Sequence, residues 1–274
     1  SLIRSGRPEI TRSASLETVQ IQLPVIDINA IGAGGGSIAW IDEGGALRVG
    51  PMSAEAVPGP VCYGRGGDRP TVTDANIVLG RFDANSRLGG SMALNAESAA
   101  SVIQRDIAGP LGLTLEEAAA GILRVAHANI VRGIRVVSVE RGYDPRDFAL
   151  VPFGGPHPMH GSPVARDLKM PRVMVPPTPG ILCAMGQLIS DLRHDFVETH
   201  IIPFARLGEK GALALIEALR ARADAHLAED GVDPSRREIE IRIDLRYVGQ
   251  SFALPIQTDP SQPGWWQALP EAFN

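Results

Sequence analysis

Glycine and proline are concentrated in two segments of this 274-residue chain. Residues 32–90 contain 14 glycines and 4 prolines, and residues 142–186 contain 6 glycines and 9 prolines. The other 170 residues hold only 19 of the 52 glycines and prolines, about 11%, which is ordinary for a globular protein. Glycine permits unusual backbone angles and close approach of other atoms, and proline stiffens a turn. The two segments are therefore expected to form turns and loops that shape a binding cleft.

The overall composition excludes several classes of protein. Hydrophobic residues make up 44% and charged residues 21%, so the chain can bury a core and is not a disordered polymer. The net charge of −5 and the small number of aromatic residues argue against a nucleic-acid-binding protein. No apolar run approaches the roughly 18 residues of a membrane span. The two cysteines form no disulfide framework, so a cytoplasmic location is expected.

The two ends of the sequence indicate a fragment of a longer protein. The chain begins at Ser1 rather than at a methionine, and the apolar region typical of a signal peptide is not seen in its first residues. Trp265, Trp266, Leu269 and Phe273 lie at its other end, and a natural tail rarely exposes such groups.

Apolar periodicity and turn residues predict alternating strands and helices. One or two strands are expected in residues 1–30, where residues 19–23 alternate. Residues 36–41 and 46–49 read as a hairpin with its turn at 42–45. Asn95 is the expected cap of a helix ending near Ile107, and a capping box at Thr114 and Glu117 begins a buried helix of about 20 residues.

The second half continues this alternation. Strands are predicted at residues 148–153, 172–175, 193–203, 238–247 and 251–256. Helices are predicted from Pro156, at residues 179–190 as a buried helix, and at residues 210–227 as an amphipathic helix. The expected class is α/β, with a mixed sheet flanked by helices.

A glycine cluster, Gly34, Gly35 and Gly36 followed by Ser37, is the first candidate site. Consecutive glycines can point backbone N–H groups at a phosphate, and a serine hydroxyl adds a further polar group. No lysine follows, so this is not a P-loop. The alternative is a plain glycine turn that enters the hairpin.

Asp74 and a pair of histidines are the other candidates. Asp74 follows a stiff loop and is suited to bind Mg²⁺ or to orient a water, or else to cap a helix at residues 75–79. His157 and His160 follow Gly154 and Gly155 and share a helix face, which is compatible with half of a metal site or with hydrogen bonding. No metal is assigned. His127 is an isolated histidine to which the sequence assigns no chemistry.

Five segments in this order closely resemble the hydantoinase A / 5-oxoprolinase family, which includes subunits of acetone and acetophenone carboxylases. They are residues 31–40 (IGAGGGSIAW), 48–81 (RVGPMSAEAVPGPVCYGRGGDRPTVTDANIVLGR), 137–155 (VSVERGYDPRDFALVPFGG), 175–191 (VPPTPGILCAMGQLISD) and 245–255 (LRYVGQSFALP).

The resemblance implies an ATPase fold of the actin, hexokinase and chaperone type, with residues 1–200 as part of the ATPase-like domain and 201–274 as the start of a further α/β region. It also implies ATP with Mg²⁺ or another divalent metal, and a B-type partner subunit or fused domain. Two phosphate loops of the family precede the segment that corresponds to this chain. The family often has Ala-Gly where this chain has Pro156 and His157, and His160 keeps the place of a family histidine.

The function that the resemblance implies is ATP-dependent opening of cyclic amides such as hydantoins and 5-oxoproline. Gly34 to Ser37 and the pair Gly154 and Gly155 would then line the nucleotide cleft. Asp74 and His160 would be the catalytic residues. Two alternatives stay open: a subunit of an ATP-dependent ketone carboxylase, and a non-catalytic scaffold that docks the partner subunit. The isolated fragment is expected to be inactive.

Overall fold

A computed structural model of the chain describes residues 1–11, 14–16, 19–21, 25–82 and 87–274. The chain divides into two compact units, Ser1–Ile189 and Ser190–Asn274. The domain boundary predicted at residues 200 and 201 lies further along the chain than this division, and it stays a prediction. Within the described residues, no helix combines the length and the apolar character needed to cross a membrane.

The first unit begins with short antiparallel strands. They are β1 (Ile3–Arg4), β2 (Arg7–Pro8), β3 (Ile10–Thr11), β4 (Ala14–Leu16), β5 (Val19–Ile21) and β6 (Val25–Ile26), paired as β1–β2, β3–β6 and β4–β5. One or two strands were expected here, so the number is higher than predicted. Part of the alternating segment forms β5, whereas Gln22 and Leu23 lie outside the described residues.

The predicted hairpin is confirmed. Strand β7 (Ser37–Ile41) pairs antiparallel with β8 (Leu47–Ser53). Asp42 stabilises the turn, since its Oδ1 accepts hydrogen bonds from the backbone N–H groups of Gly44 (3.1 Å) and Ala46 (2.8 Å). Side-chain acceptors of this kind satisfy turn N–H groups that the strand ladder leaves unpaired.

A bundle of helices packs on this hairpin and forms the main core. The helices are α1 (Val72–Val78), α2 (Ala96–Ile103), a π-helical segment (Gln104–Ala108), α3 (Gly109–Leu111) and α4 (Leu115–Val137). Strands β9 (Arg87–Leu88) and β10 (Met92–Ala93) precede α2. Asn95 caps α2, and the capping box of Thr114 and Glu117 begins α4, as predicted. Small alanines on the buried face of α4 allow the hairpin and α1 to approach closely.

The rest of the first unit contains a parallel crossover. Strand β11 (Ala149–Leu150) pairs in parallel with β12 (Arg172–Val173), and α5 (His157–Asp167) connects them. Both strands are shorter than predicted. Pro152 lacks the N–H that a longer β11 would need for its ladder.

The predicted helix at residues 179–190 forms but is not buried. A 3₁₀ turn (Pro179–Ile181) leads into α6 (Leu182–Ile189). Leu188 and Ile189 are 86% and 81% exposed, so the prediction of burial is wrong. Apolar composition predicts burial only where another layer covers the apolar face.

The second unit contains α7 (Phe204–Glu229), the hairpin of β13 (Ile241–Leu245) with β14 (Leu254–Thr258), and α8 (Trp265–Phe273). The predicted strand at residues 193–203 is wrong, because these residues have no regular secondary structure and no described strand pairs with them. The core of the second unit contains Trp265, Trp266 and Leu269, so these apolar residues near the end of the chain are buried.

The α/β class is confirmed as a mixture of helices and small sheets. The described residues form seven two-stranded sheets rather than the predicted mixed sheet, because the paired segments are only two to seven residues long. Six of the seven pairs are antiparallel, and β11 with β12 is the parallel one.

Candidate functional site

The glycine cluster forms a tight turn just before β7. The backbone N–H of Gly34 donates to Ser37 Oγ (2.9 Å), and the N–H of Ser37 donates back to the Gly34 carbonyl (3.1 Å). Among the described residues, the N–H groups of Gly35 and Gly36 have no hydrogen-bonding partner. Adjacent free N–H groups in a turn are suited to bind an oxyanion. The turn therefore retains the property for which the sequence singled it out.

Gly35 lies where only glycine fits without movement of its neighbours. Its carbonyl accepts hydrogen bonds from both the N–H and the Oγ1 of Thr73, each at 2.9 Å. A Cβ on Gly35 would lie 2.6 Å from Thr73 Oγ1 and 2.9 Å from Pro156 Cγ. The turn is therefore clamped between the start of α1 and the start of α5.

His160 is buried in α5 and contacts a histidine of α4. His127 Nε2 and His160 Nδ1 are 2.9 Å apart, and the two rings meet edge to face. Burial lowers the pKa of His160 to about 4, and the charges of His127, His157 and Arg81 act in the same direction. His160 is thus neutral at pH 7 and can form hydrogen bonds but carries no positive charge.

A small pocket brings the glycine turn and the histidines together. It is lined by Ala33, Gly34, Gly35, Ser37, Val49, Val72, Ala126, Ile130, Pro156, His157 and His160. The lining residues come from the glycine turn, β7, β8, α1, α4 and the start of α5, and the exposed lining surface is mainly apolar. Two of the segments that the sequence analysis singled out, far apart in the chain, therefore meet at one site.

Asp74 lies apart from this pocket and is fully buried. Helix α1 begins at Val72 with Thr71 as its cap, and Asp74 completes the capping box as the third helical residue. The carboxylate accepts hydrogen bonds from the N–H groups of Val61 (3.3 Å), Cys62 (2.8 Å) and Thr71 (2.9 Å), and from Thr71 Oγ1 (2.7 Å). The predicted cap of a helix at residues 75–79 is wrong in its position, because the helix begins at Val72 and Thr71 is its cap. Asp74 has a structural role as the partner in the capping box, and its catalytic role stays a prediction without support from its position.

Three predicted glycines do not line the pocket: Gly36, Gly154 and Gly155. Gly36 belongs to the same turn as the lining residues. Gly154 has a φ of +98°, and its N–H donates to the carbonyl of Pro179 (2.8 Å). The backbone around Gly155 is open, since a Cβ there would meet nothing within 4 Å. Their assignment to a nucleotide cleft stays a prediction.

The described residues contain no cluster of three or more His, Cys, Asp or Glu side chains that would hold a metal ion. His160 uses Nδ1 for its contact with His127, and His157 has no carboxylate or thiol beside it in the pocket. The described part of the chain therefore offers no complete metal site of this kind.

Sequence reasoning missed two residues of this site. His127 is isolated in the sequence, yet it contacts His160 in the structure, and Thr73 holds the glycine turn through the Gly35 carbonyl. A signal for His127 was present, because it lies four residues after Leu123 on the buried face of α4. A polar side chain at such a position needs a buried partner.

The family is established by comparison with known proteins. Residues 1–196 match the family model described as Hydantoinase/oxoprolinase, which is well over half of the chain. The chain belongs to the hydantoinase/oxoprolinase family, as the resemblance of its five segments predicted.

Three similar proteins illustrate the relationship. The caprolactamase subunit alpha of Pseudomonas jessenii is 41% identical over 100% of this chain, which covers 40% of that subunit. The crystal structure of the ATP-dependent caprolactamase from Pseudomonas jessenii matches 96% of this chain and 39% of that chain, with a TM-score of 0.72 and 39% identity. A nucleotide-free acetone carboxylase structure matches 100% of this chain and 40% of that chain, with a TM-score of 0.81 and 26% identity. The chain thus spans about two fifths of the length of these relatives.

Proposed function

We propose that the protein containing this chain is an ATP-dependent hydrolase that opens cyclic amides. The observation that carries the proposal is the pocket in which the glycine turn meets His160. The 41% identity to a caprolactamase subunit supports a lactam as the substrate class. Because this chain covers 40% of that subunit, the activity is proposed for the whole protein.

The nucleotide is proposed to lie against the bare backbone of the glycine turn. The free N–H groups of Gly35 and Gly36 fit a phosphate oxygen, and Gly34 and Ser37 hold the turn in shape. Gly154 and Gly155 are proposed to line the adenosine side. A divalent metal such as Mg²⁺ would accompany ATP, and we assign none of its ligands to the described residues of this chain.

When bound, ATP supplies the phosphoryl group that activates the amide oxygen. Phosphoryl transfer depends mainly on positioning and on stabilisation of charge. The glycine turn binds and orients phosphate oxygens, and His160 donates or accepts a hydrogen bond at a ligand oxygen. Asp74 remains a candidate for orienting metal or water, although its present contacts favour a structural role.

The larger architecture is proposed from the family. Residues 1–200 would belong to an ATPase-like domain of the actin, hexokinase and chaperone type, and residues 201–274 would begin a further α/β region. A B-type subunit or fused domain would complete the enzyme in the cytoplasm. The designation of the caprolactamase relative as a subunit supports an assembly of more than one chain.

The test measures phosphate release by the complete protein with its partner subunit. ATP turnover is expected to rise with one of hydantoin, 5-oxoproline or caprolactam, and the ring-opened product should appear in step with phosphate. His160→Phe is expected to abolish this rise. Product formation without ATP consumption would contradict the proposal.

A ketone carboxylase subunit is the second candidate, favoured by the TM-score of 0.81 to acetone carboxylase. It requires bicarbonate and a ketone, so turnover that depends on both, and on no cyclic amide, would select it. A non-catalytic scaffold is distinguished by calorimetric titration with ATP and Mg²⁺, because it would give no binding heat.

A further inference from the structure

The contact between His127 and His160 joins two helices that the chain brings together from a distance. His127 Nε2 and His160 Nδ1 are 2.9 Å apart, and both side chains are buried. Such a distance requires one proton between the two nitrogens. The contact therefore has two possible arrangements, which differ in the ring that donates.

Both rings are neutral at pH 7. Burial lowers the pKa of each histidine. Arg81 lowers both further, and His157 acts in the same direction on His160. Asp167 opposes the shift at His127 and does not reverse it. A neutral imidazole has one donor and one acceptor nitrogen, so the proton at the contact fixes the state of the nitrogen on the other side of each ring.

The two arrangements are not equivalent. If His127 donates from Nε2, then His160 accepts at Nδ1 and carries its own proton on Nε2. Both rings then have the Nε2–H form, which a free neutral imidazole side chain prefers. If His160 donates instead, both rings are forced into the less favoured Nδ1–H form. The first arrangement therefore has the lower free energy.

The second nitrogen of His160 is not used within the described part of the protein. Nε2 has no hydrogen-bonding partner among the described residues, and no buried side-chain nitrogen or oxygen of those residues is left without a partner. Nε2 is therefore not enclosed by protein. His160 lines the pocket beside the glycine turn, so a ligand in this pocket is the partner considered for Nε2.

We infer that His127 is a positioning residue that holds His160 in the Nε2–H form, so that His160 presents a neutral hydrogen-bond donor to a ligand oxygen in the pocket. The oxygen belongs to a lactam carbonyl or to a phosphate, which are both strong acceptors. The nature of the ligand rests on the proposed function. The tautomer of His160 does not.

Nitrogen-15 NMR of histidine-labelled protein tests the tautomer directly. Six histidines are present, and single substitutions assign His127 and His160. The expected spectrum at pH 7 has both rings neutral, with protons on Nε2 and with His160 Nδ1 as a hydrogen-bonded acceptor. A proton on Nδ1 of His160, or a cationic ring, would overturn the inference.

Two variants of His127 separate positioning from packing. His127→Gln keeps a donor near the position of Nε2, and His127→Phe keeps the volume without a donor. We expect His160 to keep its tautomer in the glutamine variant and to populate both tautomers in the phenylalanine variant. Unchanged His160 resonances in the phenylalanine variant would contradict the role of His127. If that variant does not fold, the wild-type and glutamine spectra still decide.

Ligand titrations distinguish the two kinds of oxygen. Caprolactam and inorganic phosphate are added separately to labelled protein, and the Nε2–H signal of His160 is followed. A shift with either one supports the donor role and identifies the acceptor, whereas no shift with either overturns it. In turnover assays, His127→Phe should reduce lactam-dependent phosphate release by about tenfold, and His127→Gln should restore most of it. If no cyclic amide supports turnover but the tautomer is as expected, only the proposed function fails.

Discussion

The surroundings of Asp74 and His160 differ, although the sequence assigned both residues to catalysis. Both side chains are buried, with 0% and 4% of their surface exposed. The carboxylate of Asp74 accepts four hydrogen bonds and has no opening to the pocket. His160 uses one ring nitrogen for its contact with His127, has no described hydrogen-bonding partner at the other, and lines the pocket. Burial thus does not identify a reactive group, whereas an unused polar atom at a cavity does.

The comparison assigns the two residues to different tasks. Asp74 holds the 3₁₀ turn Val61–Tyr63 against α1 by accepting from backbone N–H groups that have no other partner in the described structure. Cys62, whose N–H donates to Asp74, has an unreactive thiol. Burial, reinforced by the charge of Asp74, raises the pKa of this thiol. Asp74 therefore stabilises the fold at the start of α1, whereas His160 lines the pocket.

The largest effect is expected from Asp74→Ala. The substitution leaves buried N–H groups of Cys62 and Thr71 without acceptors, and each such group costs roughly 1–3 kcal/mol. The free energy of unfolding should fall by about 4 kcal/mol in total. Urea denaturation followed by circular dichroism measures the change.

Asp68→Ala is the matched control, because Asp68 lies in the same segment and is exposed. Its effect should stay within about 0.5 kcal/mol. If the Asp74→Ala protein is as stable as the wild type but has lost ATP turnover, the structural role of Asp74 is contradicted and a catalytic role is supported.

The next effect is a loss of stability in mild acid caused by His160. Its pKa is about 4 in the folded state against an ordinary value of 6.5. Between pH 7.5 and pH 5 the unfolded chain therefore binds a proton that folded His160 does not bind. The free energy of unfolding should fall by about 2 kcal/mol over this range. Urea denaturation at several pH values measures the slope.

His160→Gln should flatten that slope, since it removes the titrating ring. His127 shifts in the same direction, so some slope remains in the variant. A slope that is identical in the wild type and in His160→Gln would mean that the pKa of His160 does not differ between the folded and unfolded states, which would contradict the lowered pKa.

The sequence predicted helix caps and turns more accurately than it predicted which segments are buried or paired in a sheet. Caps and turns are local, so Asn95, Thr114 and the turn at Asp42 could be identified from neighbouring residues alone. The burial of α6 and a strand at residues 193–203 depend on layers that local patterns do not reveal. Those two predictions failed for that reason.

The same limit applies to the candidate site. The glycine turn and His160 could be singled out because their residue types suit a ligand oxygen, and the structure brings them to one pocket. The contact of His127 with His160 joins residues 33 positions apart, so its geometry could not be read from spacing. Two of the four donors around Asp74, the N–H groups of Val61 and Cys62, lie in a turn 12 and 13 residues earlier in the chain, and the orientation of that turn could not be predicted from spacing.

Gly35→Ala is expected to have a smaller effect than the loss of Asp74. The new Cβ would lie 2.6 Å from Thr73 Oγ1 and must displace either Thr73 or Pro156. Such overpacking should cost about 1.5 kcal/mol and should weaken ATP binding through movement of the turn. Thermal unfolding and calorimetric titration measure the two effects.

Gly34→Ala serves as the control for Gly35→Ala, because a Cβ on Gly34 would meet nothing within 4 Å. It should change stability by less than about 0.5 kcal/mol. An equal loss of stability in Gly34→Ala and Gly35→Ala would indicate that the contacts of Gly35 with Thr73 and Pro156 do not hold the turn.

The smallest effect comes from two threonines that belong to the two sites compared above. Thr71 Oγ1 donates to Asp74, and Thr73 Oγ1 donates to the Gly35 carbonyl. Thr73→Val removes one hydroxyl hydrogen bond at nearly constant volume and should cost about 1 kcal/mol of stability. Thr71→Val removes two, because Thr71 Oγ1 also accepts from the N–H of Asp74 as the cap of α1, and should cost about 1.5 kcal/mol. Only Thr73→Val should also weaken ATP binding, because only Thr73 holds the glycine turn. Calorimetric titration measures the ATP affinity of both variants. An equal reduction in the two would show that the hydrogen bonds around Asp74 and the pocket beside the glycine turn act as one site.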